Sequence, residues 1–300
     1  MTSLFHKSIF LFCLFSVAQL PAVNLRYPKV IYGDDNRQLL HHYPNLTIRN
    51  WAKSTAAMID KVNLRDNVGG KIFISNPSTL KDVFNICADE SFSNELSTAI
   101  CSGFLVAPNL LLTAGHCINS ASECRMSRWV FDYRADQVNS KTPYVLDKNV
   151  YKCQAIVMSA YDKKKDLDYS LIQLDRPVTD RSPLPIRREG KLSETDELVV
   201  IGHPSGLPTI IADQGFAYKN DQEQIFGANL DTFSINSGSA VLNKSTGEIE
   251  GILIRGQMDY VLDRQDSCLR PNYWRQDKEP GETVTRITSI PGLSQHLLTK

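Results

Sequence analysis

A chain of 300 residues in which 42% are apolar is long enough to bury a core as one large domain or two small ones, which excludes a disordered or fibrous chain. Lys plus Arg and Asp plus Glu both number 33, so no long-range field draws the protein to nucleic acid or to an anionic membrane surface.

The chain opens with one basic residue, Lys7, and an apolar stretch from Ile9 to Ala18 that ends in small residues at Ser16 and Ala18, the spacing of a cleavable signal peptide. That stretch is too short to anchor the chain, because a spanning helix needs roughly twenty apolar residues. Residues 1–18 are therefore read as a signal peptide, with cleavage as late as Ala22, and the product as secreted or periplasmic with no membrane association afterwards. Cys13 leaves with that segment, and Cys87, Cys101, Cys117, Cys124, Cys153 and Cys268 remain. An even cysteine count in an exported chain points to disulfides. No CxxC or HxxxH pair suggests a metal, and none is expected. Asn45–Thr47 and Asn243–Ser245 match the glycosylation sequon, which matters only if a eukaryote secretes the protein.

Beyond the leader, Gly, Pro and Asn punctuate many short apolar runs, the texture of an all-β domain. Strands are predicted around Ile72–Ile74, Ser102–Val106, Trp129–Tyr133, Ala155–Met158, Ser170–Leu174, Leu198–Ile201 and Ile249–Ile254. Trp129, Phe131 and Tyr133 alternate with Val130 and Asp132, which predicts a half-buried strand. Residues 51–62 read equally as a helix capped by Asn50 or as an extended strand, and Gly292–Leu298 as a short C-terminal helix. A boundary between two barrels falls in the basic, Pro-containing stretch Arg176–Arg188.

Three segments carry chemistry. In CSGFLVAPNLLLTAGHC, residues 101–117, a buried strand runs through a turn to His116, which Gly115 and Cys117 confine, as a general base requires. In DLDYSLIQL, Asp168 directly abuts an apolar strand and is favoured over Asp166 as the carboxylate that orients an imidazole and selects its tautomer. In NSGSAV, Ser237 precedes a glycine in a tight loop, where a hydroxyl beside a base becomes a nucleophile and successive N–H groups can stabilise an oxyanion. The G-x-S-x-G elbow is absent, since Ile235 and Ser239 stand where it needs glycine. His203 is read as structural, His41 and His42 as lying in a polar stretch without a partner, and Lys163–Lys165 as a solvated loop face.

These motifs, in the order His, Asp, Ser, resemble those of the trypsin-like serine peptidases, and within them the bacterial branch related to glutamyl endopeptidases. VIYGDDNR at 30–37, IGHPSGLP at 201–208 and GILIRG at 251–256 extend the resemblance from about Val30 to about Ile290. It implies two six-stranded antiparallel barrels with the active site between them, here about 30–180 and 181–290 of a domain spanning 30–300. It also implies a Cys101–Cys117 disulfide and a zymogen whose propeptide, residues 19–29, ends at Lys29. The pairing of the other four cysteines stays open.

The resemblance places the oxyanion hole at the N–H groups of Ile235 and Ser237. Members usually carry glycine at the first of these. A β-branched residue is disfavoured at positive φ, so either the loop reaches the same position by another route or the hole is collapsed. Asn236 stands where trypsin has the aspartate that receives the new terminal amine, so activation must differ. For the substrate pocket the resemblance names Asp231, Thr232, Leu253, Ile254, Arg255 and Gly256. Asp231 at the base implies cleavage after Arg or Lys, Leu253 in place of a histidine argues against Glu, and Arg255 could pair with Asp231 and cancel its charge. The expected partner is a peptide or protein substrate of a monomeric enzyme that needs no cofactor, and the alternative is an inactive homologue that binds rather than cleaves. N-terminal sequencing of the active secreted product is expected to begin at Val30; an intact start near Gln19 in active enzyme would overturn the propeptide.

Overall fold

The computed structural model describes residues 31–274 and 281–298, so the signal peptide, the propeptide and Val30 lie outside the described residues. Residues 55–174 supply the first barrel. Its strands close in the order Val150–Asp162, Leu167–Leu174, Leu110–Thr113, Cys101–Ala107, Thr55–Asp60 and Ser127–Phe131. All pairings between them are antiparallel. Cys101–Ala107 and Leu110–Thr113 are buried along their whole length, with Phe104, Leu105, Leu111 and Leu112 all inaccessible to solvent. Burying such side chains is worth about 1.5–3 kcal/mol each.

The second barrel takes its strands from 197–286. Glu197–Gly202, Ala240–Asn243, Ile249–Arg255, Glu282–Arg286, Ile225–Ala228 and Ile210–Tyr218 pair in that order, and the last returns to the first. Leu198, Val200, Phe226, Val241, Leu253 and Val284 fill its core. Between the barrels, residues 175–196 contain no strand; Val178 and Leu184 donate to carbonyls of Pro108 and Leu105 of the first barrel, and Pro185 and Arg187 bond to Ile249 of the second, so this stretch passes from one barrel to the other. A short helix, Leu293–Leu298, ends the chain. Among the described residues no helix is long and apolar enough to cross a membrane.

Residues 51–62 divide into both alternatives. The helix is Leu46–Ala52, capped by Asn45 rather than Asn50; the Asn45 side chain accepts from the N–H groups of Thr47 and Ile48, and the strand Thr55–Asp60 follows. The strand expected at Trp129–Tyr133 ends at Phe131, because Asp132 turns to φ 54°. It is not half-buried. Trp129 and Phe131 fill the barrel, while Val130 packs outside it against Ala57, Ile59 and Tyr133. The Asn243 sequon lies in a buried strand, where its side-chain oxygen accepts from Ser245 and Thr246, which closes it to glycan attachment.

Three disulfides cross-link the chain: Cys101–Cys117, Cys124–Cys153 and Cys87–Cys268. The last spans 181 residues and fastens the 86–93 loop to the hairpin of Tyr260–Asp263 and Cys268–Pro271. Backbone bonds from Cys87 to Leu269 and from Leu269 to Asn85, together with Arg270 on Asp89 and Glu90, reinforce that junction. Replacing Cys87 and Cys268 together by alanine is expected to lower stability by about 2–4 kcal/mol in denaturant unfolding.

Candidate active site

His116 follows the strand Leu110–Thr113 in a turn pressed against the neighbouring strand. A Cβ at Gly115 would run into the Ala160 carbonyl, so only glycine lets the turn lie there. Cys117 is tied to Cys101, and between them His116 has little freedom. Its Nδ1 lies 2.8 Å from Asp168 Oδ2, and its backbone N–H donates to Asp168 Oδ1 at 3.0 Å. With Asp168 ionised, this pairing holds the proton on Nδ1 and leaves Nε2 as the acceptor. Asp168 is buried, and its own carbonyl accepts from Thr285 Oγ1 in the second barrel. Asp166, the competing carboxylate, turns outward at φ 51° and pairs with Arg255 at 3.1 Å. Arg255 therefore does not pair with Asp231. The Arg255–Asp166 pair borders a cavity of about 250 Å³ lined by His116, Tyr161, Leu167 and Ile254.

Ser237 is brought to the same place by backbone contacts. The Ser102 N–H donates to the Ser237 carbonyl at 2.8 Å, and Gly238 adopts φ 87° where a Cβ would meet the Ser102 carbonyl, so only glycine fits. Cys117 Sγ lies 3.7 Å from the Ser237 carbonyl oxygen, so the loops carrying Ser237 and His116 touch. No hydrogen bond joins the Ser237 hydroxyl to His116 among the described residues; such bonds often tighten only when substrate binds.

The loop before Ser237 takes no other route: Ile235 itself adopts φ 70°. The Asn236 N–H donates to the Phe233 carbonyl at 3.2 Å, and Ser234 keeps a negative φ, which together define a type II turn with Ile235 at the third position, usually glycine. The Ser234 carbonyl accepts from the Ser205 N–H at 2.6 Å. In a planar trans peptide the next N–H points the opposite way, so the Ile235 N–H faces away from Ser205. Neither it nor the Ser237 N–H donates to another group among the described residues. Two backbone donors flanking Asn236 are thus open to an anionic oxygen.

The pocket differs from expectation. Asp231 is buried and engaged: its Oδ1 accepts from the Tyr32 N–H at 2.8 Å and its Oδ2 from the Asn36 N–H at 3.2 Å. Burial raises it to about 6, against the opposing pull of those two N–H groups. Leu253 is no pocket residue, because its side chain belongs to the second barrel's core. Ile254 and Arg255 instead face the cavity beside His116. Thr232 donates its hydroxyl to Glu282 Oε2 at 2.6 Å, and a Cβ on Gly256 would strike the same oxygen. Glu282 is fully buried, its Oε1 has no hydrogen-bond partner, and burial holds it well above the usual carboxylate range. Asp259 is raised to about 6, again chiefly by burial. No motif marks Glu282 or Asp259, since each follows Ser237 by more than twenty residues in an unremarkable stretch.

Residues 101–252, just over half of the chain, match the family model of the trypsin-like peptidase domain, and the protein belongs to that family, the chymotrypsin-fold serine peptidases. The fold is shared with a Glu endopeptidase solved in complex with MPD, at 17% identity and a TM-score of 0.51 over 90% of this chain and 100% of that one. It is shared with the VesB protease of Vibrio cholerae, at 14% identity and a TM-score of 0.51 over 88% and 66%. It is shared also with human heparin binding protein, at 12% identity and a TM-score of 0.52 over 84% and 93%. Among curated protein sequences no match is found.

His203 is enclosed. Its backbone N–H donates to Ser102 Oγ, its Nδ1 lies 3.0 Å from the Leu207 carbonyl, and its Nε2 is buried without a partner. Burial lowers its pKa to about 4. A folded pKa below the unfolded value of about 6.5 means that this stability is complete above pH 6.5 and is lost as pH falls toward 4. Between pH 7 and 5 the loss comes to about 2 kcal/mol. His203→Gln is expected to be less stable than wild type at pH 7 and to lose about 2 kcal/mol less on acidification to pH 5, read from unfolding midpoints.

Proposed function

We propose that this serine peptidase is an exported endopeptidase working through Ser237, His116 and Asp168. The observation that carries the reading is the 2.8 Å pairing of His116 Nδ1 with Asp168, which leaves Nε2 as the acceptor, on a loop that touches the loop of Ser237. Ser237 Oγ attacks the substrate carbonyl carbon while its proton passes to His116 Nε2. The carbonyl oxygen gathers negative charge against the N–H groups of Ile235 and Ser237. The proton then moves to the departing amine, and water repeats the sequence to release the acyl group. Asp168 stabilises the imidazolium in both halves. Three disulfides favour an oxidising, extracellular or periplasmic setting. Processing at Lys29 and a monomeric state complete the reading.

The preference for basic side chains is better supported by Glu282 than by Asp231. Asp231 spends both oxygens on the 31–37 segment, whereas Glu282 keeps Oε1 unpaired beside Thr232 and Gly256. A guanidinium or ammonium brought against that carboxylate favours its ionised form. A second reading, a catalytically silent homologue that binds peptides, is favoured by the lack of a hydrogen bond from the Ser237 hydroxyl to His116 among the described residues.

Labelling by an active-site phosphonate discriminates the two: wild type is expected to react and Ser237→Ala not to, and an inert wild type of correct processing would falsify the hydrolase reading. On peptides that differ only before the scissile bond, Glu282→Gln is expected to lose about 30-fold in kcat/KM on Arg and Lys relative to neutral residues. An unchanged ratio removes Glu282 from specificity.

A further inference from the structure

A β-branched residue at φ 70° is strained and persists only where its surroundings hold it. The Ile235 turn has no glycine to adopt this backbone freely, and at Asn236 there is no carboxylate to tie down with a terminal ammonium; the Asn236 side chain instead accepts from Ser239 Oγ at 2.7 Å. What holds the turn lies one residue earlier. The Ser234 N–H donates to Asp259 Oδ2 at 2.8 Å, and the Ser234 carbonyl accepts from the Ser205 N–H at 2.6 Å. These two bonds fix the peptide planes on both sides of Ser234, and the second plane carries the Ile235 N–H.

Both partners are themselves held. Ser205 sits at φ 50°, its carbonyl accepts from Ser97 Oγ at 2.7 Å, and its hydroxyl shares a hydrogen bond with Tyr260. Gly206 is wedged against Ser97, Thr98 and Ala99, and its carbonyl takes the N–H groups of Thr98 and Ala99. Asp259 is partly buried, and its other oxygen, Oδ1, is enclosed without a partner. The Tyr260 ring packs between Phe84 and Phe233, with centroids 6.0 and 5.1 Å away.

We propose that Asp259 is a positioning residue of the oxyanion hole: by fixing the Phe233–Ser234 plane at the entry of the turn, it keeps the Ser234 carbonyl on Ser205 and the Ile235 N–H turned away and open to the reacting oxygen. This rests on the hydrolase reading above. Asp259 touches neither substrate nor nucleophile; it acts through Ser234. Without it, the Ser205 bond alone opposes the relief of Ile235, and the Ser234–Ile235 peptide flips to the type I form, which withdraws one of two oxyanion donors. Loss of one such donor falls on kcat rather than on KM.

Asp259→Ala is expected to lower kcat about 100-fold with KM little changed. Asp259→Asn keeps an acceptor oxygen for the Ser234 N–H and should retain activity within about tenfold of wild type. In the Asp259→Ala background, Ile235→Gly is expected to restore most of the loss, because glycine adopts φ 70° without support. A merely structural defect would not be repaired by that second change. Folded Asp259→Ala enzyme with wild-type kcat, or a double variant no better than Asp259→Ala, overturns the proposal. Amide hydrogen exchange at Ser234 is read on the same proteins and needs no activity: about tenfold faster exchange in Asp259→Ala is expected. If wild type proves inert to the phosphonate, the hydrolase reading falls by itself, and unchanged exchange at Ser234 then overturns the clamp.

Discussion

One backbone hydrogen bond, from Ser102 N–H to the Ser237 carbonyl, joins the two barrels where the chemistry is assembled. Ser102 belongs to a fully buried strand of the first barrel and follows the cysteine that is tied to the residue after His116. Ser237 lies in a loop whose next residues, Gly238 and Ser239, are bound to Leu253 of the second barrel. A shift of either barrel would pull on this bond and on the bond from Thr285 Oγ1 to the Asp168 carbonyl together, while His116 and Asp168 stay paired within the first barrel. Gly238 is indispensable for the same reason, since any side chain there would displace the Ser102 carbonyl. Asp168 lies on a strand, and His116 and Ser237 each lie three residues from a strand end, which limits their freedom.

Asp231 shows how the N-terminal segment becomes part of the site. Its carboxylate receives the N–H groups of Tyr32 and Asn36, and Arg37 lies buried with its guanidinium 3.9 Å from the centroid of the Phe233 ring. Asp35 neutralises that cation through paired bonds of 2.8 Å. Residues 31–37 therefore plug the underside of the loop that leads to Ser237. Ile31 contacts Phe233, and the chain enters alongside Tyr273 and Trp274 in a parallel pair. An acid that sequence position marks as a pocket floor serves here as an anchor, and the acid beside it that keeps one oxygen unpaired is Glu282.

Much of the fold was legible because its signals are local. Short apolar runs became strands within five residues of the expected bounds, and the segment around His116 announced itself by confinement between glycine and cysteine. What escaped the sequence depends on distant partners. Asp231 meets residues 199 and 195 positions away, and Cys87 finds its partner 181 positions on. Residues 51–62 were ambiguous because a helix and a strand meet inside them. Ile235 misled for another reason: a local preference worth a few kcal/mol was overruled by two hydrogen bonds at its neighbour.

The disulfide topology bears on how the molecule is made. Synthesis runs from the N-terminus, so of the cysteines that form bridges Cys87 emerges first and its partner Cys268 last. Oxidation in order of appearance would join Cys87 to Cys101, Cys117 to Cys124 and Cys153 to Cys268, and none of these is native. The first barrel can complete Cys101–Cys117 and Cys124–Cys153 from its own chain, leaving Cys87 a free thiol until the second barrel has formed. Reaching the native set then depends either on Cys87 being shielded through that interval or on thiol–disulfide exchange to undo its early partners.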